Sequence, residues 1–98
     1  MDLLQLRYFR AVAENGNMTR TATQLHISPP SLSAMIARLE KDIGVALFDR
    51  TGNKIFLNTT GKMFYESVCK ILTELDDVIA RVNDLNTTAN SHLSIAMT

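Results

Sequence analysis

Hydrophobic residues recur every three or four positions through the first part of the chain, which is the spacing of an amphipathic helix. In segment 3–14 they are Leu3, Leu6, Phe9, Val12 and Ala13. The following Asn15-Gly16 pair favours the left-handed backbone conformation that commonly ends a helix. The pattern therefore predicts a first helix over about residues 3–14, with these side chains facing a core.

The same periodicity predicts two further helices, over residues 18–25 and 29–43. Their apolar faces are Met18, Ala22 and Leu25 in the first, and Leu32, Ile36 and Leu39 in the second. Asn17 and Ser28 are residue types that cap helix N-termini, and Gly44 favours a helix end. The few residues between the two helices then form a short turn.

Two runs rich in β-branched and aromatic residues follow, VALFDR at 45–50 and KIFLN at 54–58. The glycine of Thr51-Gly52-Asn53 suits a hairpin between them. Two helices joined by a short turn and followed by a hairpin make a winged helix-turn-helix. We therefore expect a mainly α fold, with three helices and a two-stranded β-wing in residues 1–58 and the helix-turn-helix at about 18–37.

From Thr60 to about Asn86 the chain has no proline, and its apolar residues follow one another at alternating spacings of four and three. These positions are Phe64, Val68, Ile71, Leu75, Val78, Val82 and Leu85, with Leu72 and Ile79 beside them. At ~1.5 Å per residue the helix would be roughly 40 Å long, more than a domain of this size can cover. The stripe can belong to the chain's own core or contact a second chain, and its length favours a dimerisation helix over 59–88.

The last residues differ in character from this helix. NTTANS at 86–91 is polar and predicts a linker, and HLSIAMT at 92–98 alternates like the opening of a strand. We therefore expect residues 89–98 to be a hinge and the start of a further C-terminal domain that this sequence lacks.

Composition narrows the class of protein. The chain has 98 residues, 46% of them hydrophobic, as is typical of one small domain with a core. It shows neither an apolar run of about 20 residues that could span a bilayer nor a signal peptide. A single cysteine, Cys69, excludes an internal disulfide and a cysteine zinc cluster. No paired carboxylates, nucleophile–base set or phosphate loop stands out, so we expect a cytoplasmic protein that is not an enzyme, with no metal or cofactor in this chain.

The formal net charge of zero conceals an uneven distribution. Residues 1–57 carry seven Lys/Arg and five Asp/Glu, a net charge of +2, whereas residues 58–98 carry three and five, a net charge of −2. A basic first half permits nucleic-acid binding but does not by itself indicate it.

The stretch SPPSLS at 28–33 opens the third helix and holds the candidate chemistry. Proline is tolerated there because the first N–H groups of a helix have no intrahelical partner, so Pro29-Pro30 indicates a helix opener. In a helix-turn-helix the N-terminal residues of the second helix lie nearest the base edges. Hydroxyls that can reach phosphates or bases come from Ser28, Ser31 and Ser33, positive charge comes from Arg20 and Arg38, and the wing adds Arg50, Asn53 and Lys54.

Nearly the whole chain, residues 2 to about 96, resembles the N-terminal DNA-binding region of LysR-type transcriptional regulators. The resemblance is carried by LLQLRYFRAVAENGNMTRTATQLHISPPSLSAMIARLEKDIGVALFDR, then by LNTTG and the long helix. It implies a bacterial regulator that binds double-stranded operator DNA, with the recognition helix 29–43 in the major groove and the wing 45–58 at the minor groove. It also implies a homodimer through the linker helix, a tetramer of the full-length protein, and a small-molecule effector in the missing C-terminal domain.

Three positions depart from that family's usual pattern. Pro29 stands where Gln is common, Ala34 where a basic residue is common, and Asn53 where the wing often carries a basic residue. Neither Pro29 nor Ala34 has a side chain that can donate or accept a hydrogen bond, which leaves apolar contact with a thymine methyl or readout of DNA shape. The departures keep a second hypothesis open, a dimerisation or protein-interaction module whose specific DNA binding is weak or lost.

The candidate site residues form two sets. The DNA-binding candidates are Thr19, Arg20, Ser28, Pro29, Pro30, Ser31, Ser33, Ala34, Arg38, Arg50, Asn53 and Lys54. The dimer-interface candidates are Phe64, Val68, Ile71, Leu72, Leu75, Val78, Ile79, Val82 and Leu85.

Overall fold

The structure, a computed structural model, describes residues 1–52 and 54–93, with side chains described as far as residue 86. Four helices and one two-stranded sheet follow one another along the chain. They are α1 (Leu3–Asn15), α2 (Met18–Leu25), α3 (Pro29–Ile43), β1 (Phe48–Thr51), β2 (Lys54–Leu57) and α4 (Thr59–Leu93). The order is the winged helix-turn-helix that the sequence pattern predicts, followed by one long helix.

The ends of α1 and α2 are set by the residues that the sequence marks. Gly16 ends α1 in the left-handed conformation, with φ of 66°, and Asn17 caps α2 by accepting a hydrogen bond from the Arg20 N–H. His26 then ends α2 with φ of 60°, the one left-handed residue other than glycine in the described part of the chain. Histidine is among the residues that tolerate this conformation. The connection between α2 and α3 can therefore be short, with α3 running across α2.

The core lies where α1, α2, α3, the wing and the first half of α4 meet. Phe9 is at its centre, with ring centroids 5.4 Å from Phe48 and 5.1 Å from Phe64. The fully buried large side chains include Leu32, Ile36, Leu39, Leu47, Leu72, Val12 and Val68. Leu3, which the periodicity places on the core face of α1, is 48% exposed because α1 begins at the edge of this core.

The wing is an antiparallel hairpin in which Phe48 pairs with Leu57 and Thr51 with Lys54. Its first strand starts at Phe48, three residues later than the predicted run from Val45. Val45 and Ala46 are exposed and lie outside the strand, because the chain first has to cross from the end of α3 to the sheet. A hydrogen bond of 3.3 Å from the Ile55 N–H to the Gly16 carbonyl ties the hairpin to the α1–α2 turn.

The start of α4 lies directly against the wing. Asn58 accepts a hydrogen bond of 2.7 Å from the Gly61 N–H through its side chain, and so caps the helix. Its own N–H donates to the Leu47 carbonyl at 2.9 Å. Gly61 is buried, and a side chain there would overlap with the Leu47 carbonyl group. Absence of a side chain at this position is therefore what allows the helix to approach the strand.

Helix α4 continues to Leu93, so the linker predicted at 86–91 is wrong: those residues are helical. The stretch contains neither glycine nor proline, and Asn, Thr and Ser disfavour a helix only weakly. His92 and Leu93, the first two residues of the stretch that suggests a strand, are helical as well, and the rest of that stretch, residues 94–98, lies outside the described residues. Among the described helices, none is both long and apolar enough to cross a membrane.

Two polar contacts fix the direction of α4 against α1. The Tyr65 hydroxyl donates to a Glu14 carboxylate oxygen at 2.7 Å, which raises the pKa of Tyr65 well above its usual range. The Arg7 guanidinium lies 3.0 Å from a carboxylate oxygen of Asp76 and holds the pKa of that carboxyl below its usual value. The two contacts lie at different points along α4, so together they resist rotation of the helix across α1.

Candidate nucleic-acid interface

The front of α3 is built as the sequence suggests. Pro29 and Pro30 occupy its first two positions, and the Ser28 side chain accepts a hydrogen bond of 3.2 Å from the Ser31 N–H. The Ser28 hydroxyl also donates to the Ser31 hydroxyl at 2.8 Å. These four residues and Ala34 are exposed, so the start of the helix is free to meet a ligand.

The wing reaches the same front. A guanidinium nitrogen of Arg50 lies 3.5 Å from the Ser33 hydroxyl, which joins β1 to α3 across the surface. Both residues are DNA-binding candidates from separate parts of the sequence, seventeen positions apart. The fold therefore brings the predicted recognition helix and the predicted wing into one continuous surface.

A cavity of about 410 Å³ opens between the start of α2 and the wing. Three DNA-binding candidates line it, Thr19, Arg50 and Lys54; its other lining residues are Asn17, Met18, Gly52 and Ile55. Two cationic side chains and the positive end of a helix dipole thus surround one concave surface. Such an arrangement favours an anion, and a phosphate group is the anion that a nucleic acid would supply.

The remaining candidates differ in position. Arg20 is exposed on α2, whereas Arg38 lies 3.7 Å from an Asp42 carboxylate oxygen one turn further along α3. That carboxylate offsets part of the Arg38 charge. Asn53, the remaining wing candidate, lies outside the described residues.

Comparison with known proteins decides the family. The family model described as "Bacterial regulatory helix-turn-helix protein, lysR family" matches residues 3–62 of the chain, which cover all of the winged helix-turn-helix except the N-terminal cap. The chain belongs to the lysR family. The resemblance drawn from the sequence is thereby confirmed, together with the winged helix-turn-helix fold.

Curated relatives of this LysR-family chain are transcriptional regulators. It is 42% identical over 98 residues to the HTH-type transcriptional regulator BudR of Klebsiella aerogenes, covering all of this chain and 68% of that protein. It is 45% identical over 83 residues to the HTH-type transcriptional regulator ClcR of Pseudomonas putida, covering 83% of this chain. That match spans 28% of ClcR, so the chain corresponds to a part of this longer regulator.

Solved structures give the same result. The DNA-binding domain of BenM, solved in complex with catB site 1 DNA, has a TM-score of 0.83 at 33% identity, covering 94% of this chain and 96% of that one. The DNA-binding domain of CbnR, also solved in complex with DNA, has a TM-score of 0.74 at 38% identity, covering 91% and 98%. The LysR-family chain is thus similar to proteins that have been solved with DNA, and it is a helix-turn-helix DNA-binding domain of that family.

The long helix of the LysR-family chain divides its apolar residues into two groups. Val68 and Leu72, predicted in the dimer interface, are 1% and 0% exposed within the single chain, because they belong to the same core cluster as Phe9 and Val12 of α1. The prediction is wrong for these two residues, since they have no surface to offer a second chain. Phe64 packs on Phe9 and is partly buried, and Leu75 is half-buried. Exposed apolar side chains remain at Ile71, Val78, Ile79, Val82 and Leu85.

Sequence reasoning missed two residues that position this surface. Glu40 joins α3 to the wing by accepting backbone hydrogen bonds from Leu47 and Phe48. Gly61 lets α4 begin against the Leu47 carbonyl. The periodicity of the sequence reveals neither contact, because each one joins a single residue to backbone groups elsewhere in the chain.

Proposed function

We propose that this LysR-family chain binds double-stranded DNA in a sequence-specific manner, with α3 in the major groove and the wing at the neighbouring minor groove. The observation that carries this arrangement is the 3.5 Å approach of Arg50 to Ser33. This approach places the front of α3 and the wing on the same side of the protein. One duplex can contact both only if they share a side. The DNA complexes of the related BenM and CbnR domains support the proposal.

The start of α3 then meets base edges through small and apolar groups. Pro29 and Ala34 can contact a thymine methyl but can neither donate nor accept a side-chain hydrogen bond. The Ser31 hydroxyl, whose oxygen accepts from Ser28, remains exposed and has its own proton to donate. Discrimination between sequences therefore combines a few hydroxyl contacts with apolar contacts and DNA shape.

Phosphate contacts come from the cavity between α2 and the wing. Its position beside the helix front suits the backbone of the strand that borders the major groove, and Arg50 and Lys54 supply the charge. Each phosphate neutralised by such a side chain releases counterions, so affinity falls as salt is raised. Phosphate contacts fix the register of the protein on the duplex, while the α3 front reads the bases.

We also propose that the chain acts as a homodimer through the part of α4 that runs from Ile71 to Leu85. Its exposed apolar strip consists of Ile71, Val78, Ile79, Val82 and Leu85. These side chains lie at heptad spacing on a helix that extends beyond the core, as in helices that pair with a second helix. A tetramer, and a small-molecule effector bound by a further domain, are proposals for a longer protein.

DNA binding is tested by selecting a preferred duplex from a random pool and measuring affinity for it and for unselected duplex across a salt series. We expect Arg50→Ala to weaken binding by about tenfold and to reduce the salt slope by about one. Ser33→Ala should weaken binding to the selected duplex with little change in slope, since its hydroxyl carries no charge. Lys70→Ala, on the exposed surface of α4, removes one charge outside the proposed DNA-binding surface. This variant should bind DNA like the parent.

Equal affinity for selected and unselected duplex at every salt concentration would contradict sequence-specific binding. It would favour the alternative of an interaction module instead. The dimer is tested separately by sedimentation of Val82→Asp, because Val82 is 58% exposed and its replacement disturbs no core contact. We expect a shift from dimer to monomer at micromolar concentration, and an unchanged dimer would contradict the proposed interface.

A further inference from the structure

Glu40 makes a contact that joins the recognition helix to the wing. One of its carboxylate oxygens, Oε2, accepts hydrogen bonds from two successive backbone groups, the Leu47 N–H at 2.7 Å and the Phe48 N–H at 3.3 Å. The residue lies in the last part of α3, and the two amides lie where the chain enters β1. A single side-chain atom therefore fixes the wing's entry point relative to α3.

The backbone of Leu47 is held at both its N–H and its carbonyl group. Its N–H is bound by Glu40, and its carbonyl accepts from the Asn58 N–H at 2.9 Å. At the far end of the wing, the Ile55 N–H donates to Gly16 at 3.3 Å. Of these three contacts, only the one from Glu40 connects the wing directly to the helix that is proposed to enter the major groove.

The strand passes this constraint on to Arg50. Side chains two positions apart on a strand share a face, so Arg50 lies on the same face as Phe48. Phe48 is 8% exposed and packs in the core, and Arg50 projects beyond it towards Ser33. A displacement of the Phe48 backbone would therefore carry Arg50 away from the front of α3.

We infer that Glu40 is a positioning residue for DNA binding: its oxygen holds the wing so that Arg50 and the front of α3 meet one duplex together. The inference rests on the proposed function and adds a residue that does not itself contact DNA. What matters is the hydrogen-bond acceptor and not the charge, since a negative charge near DNA opposes binding. Because both amides bind the same oxygen, the amide oxygen of glutamine can replace it.

This property allows a comparison at constant charge. Glu40→Gln keeps an acceptor and Glu40→Met does not, while both remove the charge and keep the length and helix propensity of the side chain. We expect Glu40→Gln to bind the selected duplex at least as tightly as the parent. Glu40→Met should bind at least about fivefold more weakly than Glu40→Gln, as loss of hydrogen bonds of this kind implies. The same pair of changes at Glu66, exposed on α4, should show no such difference.

A role through Arg50 is distinguished from a general loss of stability by repeating the comparison in Arg50→Ala. If Glu40 acts by placing Arg50, the difference between the Gln and Met variants should fall below about twofold there. Amide exchange at Leu47 and Phe48 should be faster in Glu40→Met than in Glu40→Gln, with the α1 and α2 amides unchanged.

Other outcomes overturn the inference. Equal binding by the two variants, or a difference that persists in Arg50→Ala, would show that Glu40 does not act through the wing arginine. If Glu40→Met does not fold, Glu40→Ala takes its place, and failure of both would assign Glu40 to stability alone. If the parent selects no duplex at all, the proposed function fails and this inference with it, whereas a parent that binds leaves the comparison decisive.

Discussion

Replacing Gly61 by alanine tests how closely α4 approaches the wing. A Cβ atom at this position would overlap with the Leu47 carbonyl oxygen, and it would lie 3.0 Å from the carbonyl carbon and 3.1 Å from Leu57 Cδ2. Optimal separation between carbon atoms is about 3.5–4.0 Å. Leu57 can rotate its side chain away, but the Leu47 carbonyl cannot, because it accepts the Asn58 N–H.

The start of α4 must therefore move away from β1 by a large part of an ångström. Such overpacking typically costs about 1–3 kcal/mol, and overlap with backbone places this site at the upper end. Alanine also gains up to about 1 kcal/mol over glycine from helix propensity. The net expectation is that Gly61→Ala lowers the free energy of unfolding by about 2 kcal/mol.

Urea unfolding followed by circular dichroism measures this value, at one fixed protein concentration because association shifts apparent stability. Lys62→Ala, in the same turn and exposed, is the matched control and should stay within about 0.5 kcal/mol of the parent. A Gly61→Ala variant as stable as the parent, or more stable, would refute the reasoning. Helix propensity would then outweigh the overlap, and the close approach of α4 to Leu47 would not be required.

Three further expectations follow from the packing of α4. Leu72→Ala empties a site that is fully buried and should cost about 2–5 kcal/mol in urea unfolding; a loss below about 1 kcal/mol would place Leu72 outside the core. Tyr65→Phe removes the hydrogen bond to Glu14 and should cost about 0.5–1 kcal/mol at pH 7, and no measurable change would mean that water replaces the contact. Arg7 lowers the pKa of Asp76 in the folded state. The contribution of this ion pair to stability is therefore fully present above the ordinary pKa of 3.8, and it is lost as the pH falls through the lowered pKa. The difference in stability between the parent and Asp76→Asn should thus be larger at pH 7 than at pH 3, and a pH-independent difference would contradict the bridge.

Local sequence signals predict α1, α2 and α3 well, because the boundaries of these three helices depend on single residues with a strong capping or backbone preference. Gly16, Ser28 and Gly44 end or cap helices where the pattern places them. The sequence predicts the hairpin of the wing, but it does not predict the residue at which β1 begins. That residue depends on where α3 ends in space. The linker predicted at 86–91 is wrong because the prediction used polar composition, and polar composition alone does not end a helix.

The division of labour along α4 could not be read from the sequence. A heptad stripe looks the same whether its partner is the chain's own α1 or a second chain. Val68 and Leu72 have the first partner, and Val82 and Leu85 have no partner within the described residues. Glu40 was invisible for a related reason, because its two hydrogen bonds go to backbone groups, and these leave no mark in the order of side chains.

The double proline at the start of α3 has a thermodynamic consequence for the proposed complex. Pro29 and Pro30 have no N–H group, and Ser28 already satisfies that of Ser31, so the backbone of this helix end has few unpaired N–H groups to desolvate on binding. Association through it would bury apolar ring surface, whose signature is a negative heat-capacity change. Arg50 and Lys54, by contrast, would respond to ionic strength. Temperature and salt would therefore act on two different parts of the same surface.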